Sequence, residues 1–465
     1  MQENTDAIII GAGQAGGPLA VALASYGWKT VLIEEKHVGG TCVNEGCTPT
    51  KTMIASARVA FLARRAAEYG VQTGPISVQM ERVRQRKRDI VESFRSGSKR
   101  HIEETDGLEL VSGRAKFVGC KRVAITQDDG EIRTFSADTI VIDVGARPRL
   151  PSFPGLEEVS VLDSTTIMEL GEAPEHLLVI GGGYVGLEFG QMFRRFGSRV
   201  TIVQRGKQLL TREDEDIASE VASILRDEGV EVLLDAEPLR ARPLESNGME
   251  LTVRTPSEEI VLTGSHLLAA SGRQPNTDRL KLGETGLAMD DRGFIPVNAR
   301  LETTVPGIFV VGDAKGGPAF THIAYDDFRI LRANLLNGGR ASTMDRMVPY
   351  TVFIDPQLGR IGLSETEAMQ QGLDYRVAKI PMSQVARALE TDETRGLMKA
   401  LVDPASGRIL GAAILGVEGG EVMSVLQMAM MGGVPFSQIR DGVFAHPTLS
   451  ESLNNLFMRL EAPAP

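Results

Sequence analysis

Read for runs of apolar and polar residues, the chain opens with one pattern and later repeats it. Asp6 to Ile10 ends in a short apolar run without polar alternation, as in a strand buried on both faces. Gly11-Ala12-Gly13-Gln14-Ala15-Gly16 follows, then an Ala-rich helix to about Tyr26 and a second strand from Thr30 to Ile33, closed by Glu34. The pattern returns with the strand His176 to Ile180, the turn Gly181-Gly182-Gly183-Tyr184-Val185-Gly186, a helix to about Phe196 and the strand Val200 to Val203. Helices are also predicted over 52–68 and 77–104, and short strands over 108–145 with a turn at Asp128-Asp129-Gly130. Arg147 to Pro154 holds three prolines and is the best linker candidate. The strand Gly307 to Val311 runs into Gly312-Asp313-Ala314, and a helix is predicted to start near Thr321. From about Val348 the pattern changes. Strand-like segments at 350–354, 397–402 and 409–415, with helices over 419–431, 436–441 and 448–458, predict a separate α+β domain. The expected fold class is α/β: two Rossmann-like dinucleotide-binding domains plus this C-terminal domain.

Each glycine-rich turn carries a specific chemistry. The first glycine makes the turn, the second lets backbone approach a pyrophosphate, and the third lets helix pack on strand. Glu34, about 20 residues on, is placed to take ribose hydroxyls. The second copy has Gln204-Arg205 in place of that acid. A carboxylate would repel a 2′-phosphate, whereas Arg205 can pair with one, so NADPH is favoured over NADH.

Two of the three cysteines, Cys42 and Cys47, lie in Gly39-Gly40-Thr41-Cys42-Val43-Asn44-Glu45-Gly46-Cys47-Thr48-Pro49-Thr50-Lys51. On a straight helix this spacing separates the Cα atoms by roughly 8–9 Å. A disulfide tolerates no more than about 7 Å. The backbone must bend between them, and Gly46 permits that. Thr48 is expected to cap a helix whose first residue is Pro49, with Cys47 just before it. There the helix dipole and Lys51 favour a thiolate. Thiol–disulfide exchange needs such a pair. A structural disulfide or two buried thiols fit the spacing equally well. No second Cys/His pair stands at zinc-ligand spacing, so no structural metal is expected. Cys120 reads as a bystander. The run Arg82, Arg84, Arg86, Lys87, Arg88 reads as a solvated helix face rather than an anion site. His446 is not promoted by spacing alone.

Composition narrows the field. The chain has 465 residues, room for two to four domains, with 42% hydrophobic and 24% charged positions. A net charge of −11 argues against a nucleic-acid partner. The chain shows no basic leader and no apolar run long enough to span a bilayer, so no membrane partner is expected. Few cysteines and no targeting segment suit a reducing, cytoplasmic setting.

Taken together, GAGQAG with Glu34, GGTCVNEGCTPTK, GGGYVGLE, SGRQPN at 271–276, GIFVVGDA at 307–314 and HPTLSE at 446–451 resemble, in order, the motifs of class I flavin-dependent pyridine nucleotide–disulfide oxidoreductases. Within that family the segments FTHIAYDDFRI, VPYTVF, DETRGLMKALVD and HPTLSESLNNLF resemble the branch of copper(II) and mercuric reductases. The resemblance implies an FAD-binding domain over 1–149, an NAD(P)-binding domain over 150–275, a second FAD-binding, central part over 276–345 and a dimerisation domain over 346–465. It implies FAD held by Gly11, Gly13, Gly16, Glu34, Gly40, Thr41, Gly145 and Asp313. The helix near Thr321 would point its N-terminus at the flavin. NADPH, with NADH as the alternative, would be held by Gly181, Gly183, Tyr184, Gly186, Arg205 and Gly272. Tyr184 would cover the flavin face until nicotinamide displaces it. Lys51 and Glu188 would pair beside flavin N5, Cys47 would face the flavin, and Cys42 would exchange with substrate. His446 and Glu451 would complete the site of the other subunit in a homodimer. A substrate metal would bind Cys42 and Cys47 only transiently.

Two departures stand out. The C-terminal cysteine pair of mercuric reductases is not found in the closing LEAPAP, which makes mercury doubtful as the main substrate. The family's A-T-G loop reads Asp143-Val144-Gly145 here. The implied activity is electron transfer from NAD(P)H through a Cys42–Cys47 redox disulfide to Cu(II), Hg(II) or a disulfide. The alternatives are a flavin dehydrogenase or oxidase, a dihydrolipoamide dehydrogenase-like enzyme and, more remotely, a non-catalytic nucleotide sensor.

Overall fold

The computed structural model describes residues 2–245 and 248–460. The last residues of the expected dimerisation domain, 461–465, lie outside them. Contacts divide the chain into two units, one of Met1–Met53, Glu81–Arg149 and Gly272–Arg346, the other of Ile54–Met80, Leu150–Ser271 and Met347–Pro465.

In the first unit the strands Ile308–Val310, Thr139–Ile142, Ala7–Ile10, Thr30–Glu34 and Leu108–Ser112 form one parallel sheet in that spatial order. Ala7–Ile10 is buried throughout because it is central and covered on both faces. On one face Leu19 and Leu23 of the helix Gly16–Ser25 pack with Phe328 and Leu331 of the helix Thr321–Asn337. On the other, Phe117, Val123, Ile125 and Phe135 come from a four-stranded sheet of Gln2–Asn4, Ile132–Ser136, Arg122–Thr126 and Arg114–Gly119. The turn at 127–131 is closed by Gln127 N–H donating to Glu131 O.

The second unit repeats the parallel sheet as Val161–Leu162, His266–Ala269, His176–Ile180, Arg199–Val203 and Val230–Leu233. The last four strands match the first sheet in order, but the edge strand differs: Val161–Leu162 precedes the others in sequence, whereas Ile308–Val310 follows them. An antiparallel meander, Glu237–Pro243, Met249–Arg254 and Glu259–Gly264, packs its apolar face on it. The C-terminal sheet is antiparallel, in the order Tyr350–Val352, Gln357–Gly362, Ile409–Gly416, Leu397–Val402, Arg376–Pro381. The helices Gly419–Met431 and Ser452–Met458 cover it through Val422, Leu426, Leu453 and Phe457. The last helix begins later than the pattern predicts, because 447–451 is spent on turns around Pro447.

A buried ionic network joins elements of this unit. Arg195 binds Asp355 at 2.6 Å and Glu228 at 2.7 Å, and its guanidinium lies 3.9 Å from the Phe61 ring centre. Arg58 also binds Asp355, and Arg395 also binds Glu228, each at 2.7 Å. Among the described residues no helix is long and apolar enough to cross a membrane.

Candidate active site

The first dinucleotide loop is set by backbone crowding. Gly11 takes φ +105°, and a Cβ there would overlap the carbonyl of Asp143. One on Gly16 would overlap the carbonyl of Gly11. Glu34 reaches back so that Oε2 accepts the Ala12 N–H at 2.9 Å, which fixes its carboxylate beside the loop. Gly40 approaches Gly13 so closely that a Cβ would stand 2.8 Å from its Cα, so the cysteine segment packs directly on this loop. A Cβ at Gly145 would meet no atom within 4 Å, leaving room beside bare backbone. Glycines, helix N-terminus and acid together fit a dinucleotide. Asp313 faces Arg273 at 3.6 Å, and burial holds its carboxyl above the usual range against that arginine and Lys315.

The second loop repeats this geometry with one change. Gly181 takes φ +112°, and its Cβ would come 2.5 Å from the Ala270 carbonyl oxygen. Gln204 Oε1 accepts the Gly182 N–H at 2.9 Å, at the same sequence separation as Glu34 and Ala12. Gln204, rather than Arg205, is thus the counterpart of Glu34, and Arg205 stands exposed next to it. A Cβ at Gly183 would meet no atom within 4 Å. Tyr184 is the first residue of the helix Tyr184–Phe196 and is 38% exposed.

The dithiol segment bends as its spacing requires. A short helix, Gly40–Asn44, ends and a new one, Cys47–Arg65, begins. A Cβ on Gly46 would come 2.9 Å from the Thr41 carbonyl, so close approach demands this glycine. The second helix starts earlier than predicted. Thr50 N–H donates to Gly46 O, making Cys47 its first residue, and Thr48 lies inside the helix with its carbonyl accepting from the Thr52 hydroxyl at 2.8 Å. Cys42 and Cys47 stand as thiols, Cys42 half-buried and Cys47 exposed. Cys47 Sγ lies 3.3 Å from the Thr321 hydroxyl at the start of its helix. The Cys42 thiol is pushed well up by its hydrogen bond to Cys47, by burial and by the charge of Cys47, with Thr321 and Lys51 acting against this. The two sulfurs therefore sit in different surroundings: Cys42 is the more buried, and its thiol is the one pushed up.

Residues that sequence reasoning passed over brace this segment. Asn44 donates to the carbonyls of Val38 and Gly40. Arg95 donates to the Asn44 side chain at 2.7 Å, and Arg86 to the Thr52 carbonyl at 2.8 Å. Lys87 is buried. The basic run on Met80–Glu103 is thus partly structural rather than simply solvated. The partner of Arg86 is a backbone carbonyl 34 residues earlier, which no charge pattern reveals. Cys120 is an exposed free thiol.

In the second unit, Glu188 Oε1 accepts the Phe353 N–H at 2.9 Å on the helix that follows the second loop. His446 Nδ1 meets Glu451 Oε2 at 2.9 Å, so the carboxylate orients the ring and leaves Nε2 outward. The imidazole is 68% exposed. Among the described residues no group of three or more His, Cys, Asp or Glu is arranged to hold a metal ion.

With this geometry in view, the comparisons with known proteins agree. Residues 5–327 match the pyridine nucleotide-disulphide oxidoreductase family, and residues 348–457 its dimerisation domain. A probable pyridine nucleotide-disulfide oxidoreductase, RclA, of Escherichia coli K12 is 40% identical over 455 residues, 97% of this chain and 98% of that protein. A mercuric reductase of Streptomyces lividans is 32% identical over 96% of this chain and 94% of its own. The structure of the Cu(II) complex of the HOCl-induced flavoprotein disulfide reductase RclA from E. coli matches with a TM-score of 0.90 and 39% identity, covering 98% of this chain and 99% of that one.

Proposed function

We propose that this chain, which belongs to the pyridine nucleotide–disulphide oxidoreductase family and thereby to the flavoenzymes that use FAD and NAD(P)H, passes electrons from NADPH through Cys42 and Cys47 to a soft metal ion, Cu(II) first. The observation that carries this is the thiol pair, Cys42 in the short helix Gly40–Asn44 and Cys47 at the start of the next, packed against the first dinucleotide loop. Bound FAD supplies hydride acceptance and two-electron delivery.

The chain's own residues do the rest. Gly11, Gly13, Gly16, Gly40, Thr41 and Gly145 give backbone access to the pyrophosphate, Glu34 takes the ribose, and Asp313 takes the ribityl chain. Gly181, Gly183 and Gly186 hold the nicotinamide coenzyme, with Gly272 and Arg205 as further contacts and Tyr184 as the cover. Neutral Gln204 beside Arg205 supports NADPH. Cys47, at a helix N-terminus, keeps the anionic sulfur, while Cys42 gives up its proton as it engages substrate. Lys51 supplies positive charge near the pair. Glu188, on the helix after the second loop, is a further candidate catalytic residue. His446, oriented by Glu451, takes and returns the proton. The matched dimerisation domain supports a homodimer in which His446 and Glu451 serve the partner's sulfur pair. Soft thiolates suit Cu(I), Cu(II) and Hg(II) over hard cations.

The test is Cys42→Ser. It should keep NADPH-driven bleaching of the flavin and lose Cu(II)-dependent NADPH oxidation. Retained turnover would move the route to direct transfer from flavin to an acceptor. Steady-state oxidation of NADPH against Cu(II), Hg(II), lipoamide and low-molecular-weight disulfides ranks the acceptors.

A further inference from the structure

Asp143 carries a side chain that the fold does not require. Its backbone does in the first loop what Ala270 does in the second: Asp143 N–H donates to Ile10 O, and Ala270 N–H donates to Ile180 O, each at 2.8 Å. The first glycine of each fingerprint crowds the carbonyl of that residue. One loop carries a carboxyl at this place and the other a methyl.

The carboxyl is turned under the dinucleotide loop. Its Oδ2 accepts the Gly16 N–H at 2.7 Å, at the start of the helix Gly16–Ser25. A Cβ on Gly13 would stand 2.7 Å from that oxygen, one on Gly16 2.8 Å, and one on Gly312 3.0 Å from Oδ1. Asp143 is 7% exposed. Among the described residues no lysine or arginine forms an ion pair with it. The charged groups that face it are acids: Asp313 in the turn after Ile308–Val310, Asp327 on the helix Thr321–Asn337, and Glu34 at the end of Thr30–Glu34, the strand beyond Ala7–Ile10. Asp327 is held by Lys315 at 2.9 Å and Arg346 at 2.7 Å, and Asp313 faces Arg273. The strand Ala7–Ile10 and the helix Gly16–Ser25 carry no titratable side chain. Burial, then these three carboxylates, push the Asp143 carboxyl well above the usual range, with only the Gly16 N–H opposing.

An ionised carboxylate here would add negative charge beside a pyrophosphate. A neutral acid removes that repulsion, still accepts from Gly16 through one oxygen, and has a hydroxyl to donate. We propose that Asp143 is a proton-linked positioning residue for FAD: the loop holds the cofactor with Asp143 as a neutral carboxylic acid, and flavin binding weakens as that acid ionises. This rests on the assignment of the Gly11–Gly16 loop to FAD.

The test uses full-length apoprotein titrated with FAD by flavin fluorescence from pH 6 to 10, for wild type and Asp143→Asn. Asparagine keeps an oxygen for Gly16 but cannot ionise. Wild type should show a dissociation constant that is flat at low pH and rises towards tenfold per pH unit above the acid's titration. Asp143→Asn should stay flat, within a few-fold of the low-pH wild-type value. Calorimetry in two buffers of different ionisation enthalpy should show proton uptake by wild type on binding at alkaline pH and none by the variant. Equal pH profiles in the two proteins overturn the proposal, as does a variant that folds yet binds weakly at every pH, because then an ionised carboxylate is the working form. If the variant does not fold, a wild-type profile without proton uptake suffices to reject it. Failure of wild type to bind FAD at any pH rejects the loop assignment instead, a separate outcome.

Discussion

Gln204→Glu restores to the second loop the acid that Glu34 provides in the first. The acceptor for the Gly182 N–H survives, since a carboxylate oxygen can replace the amide oxygen at 2.9 Å. The amide's other bond, Nε2 to the Gln208 carbonyl at 3.2 Å, is lost. That costs about 1 kcal/mol of loop order. It falls on NADPH and NADH alike and cancels in their ratio. The new charge does not cancel. Two unit charges about 4 Å apart interact by about 1 kcal/mol in bulk water and about 4 kcal/mol at an effective dielectric constant near 20. Gln204 is half-buried and Arg205 exposed, so the lower part of that span applies. A penalty of about 1–2 kcal/mol on a 2′-phosphate corresponds to a roughly 5- to 30-fold fall in kcat/KM for NADPH relative to NADH. The assay is initial-rate NAD(P)H oxidation with saturating acceptor, measured for both coenzymes on both proteins. An unchanged ratio, or equal losses with both coenzymes, would refute the placement of Gln204 and Arg205 at the 2′ position. A wild type that clearly prefers NADH would refute the NADPH assignment.

Three further outcomes are expected. Arg195→Ala leaves Asp355 and Glu228 buried with fewer partners and should cost about 3 kcal/mol, the low end for a broken buried pair because Arg58 and Arg395 remain; a thermal unfolding midpoint lowered by less than a degree would contradict this. Asp214 and Asp216 sit below the ordinary carboxylate range although burial pushes the other way, because Lys399 binds both, Lys379 binds Asp216, and backbone N–H groups bind Asp214. Carboxyls depressed in the fold add stability that is present above the unfolded value of about 3.9 and is lost as pH falls through the folded one. Lys399→Met should therefore destabilise the protein at pH 7 and flatten the fall in melting temperature below about pH 4, whereas an unaltered acid slope would show that Lys399 does not hold these groups. Mixing Cys42→Ser and His446→Gln subunits should restore about a quarter of wild-type activity, since half the dimers carry one intact site if the histidine serves its partner; no recovery after demonstrated subunit exchange would place both residues in one protomer's site.

The long-range plan was legible because it is written in local signals. An apolar run followed by a glycine-rich turn needs no distant partner to be recognised, and its return near Gly181 announced the second sheet. The bend at Gly46 followed from the reach of a helix set against that of a disulfide, and the overlap with the Thr41 carbonyl gives the same answer. The helix start was harder. Thr48 and Pro49 read as cap and first residue, but Gly46 supplies the first accepting carbonyl and moves the start to Cys47. A capping signal weighs side chains, whereas here backbone closure decided.

The residues missed were those whose partners lie far away in sequence. Arg95 gripping Asn44 spans 51 positions, and Cys47 beside Thr321 spans 274. Asp143 was noticed only as an oddity, since the Gly16 N–H it meets is 127 residues earlier. The amino-acid sequence alone determined the fold class, the two nucleotide loops and the cysteine pair, because strand burial, glycine turns and thiol spacing are properties of contiguous residues. Only the tertiary structure decided that Gln204 rather than Arg205 mirrors Glu34, that the Cys42 thiol is pushed up beside Cys47, and that Asp143 is buried among acids. Those are matters of distance and desolvation, which exist only once remote segments share one interior.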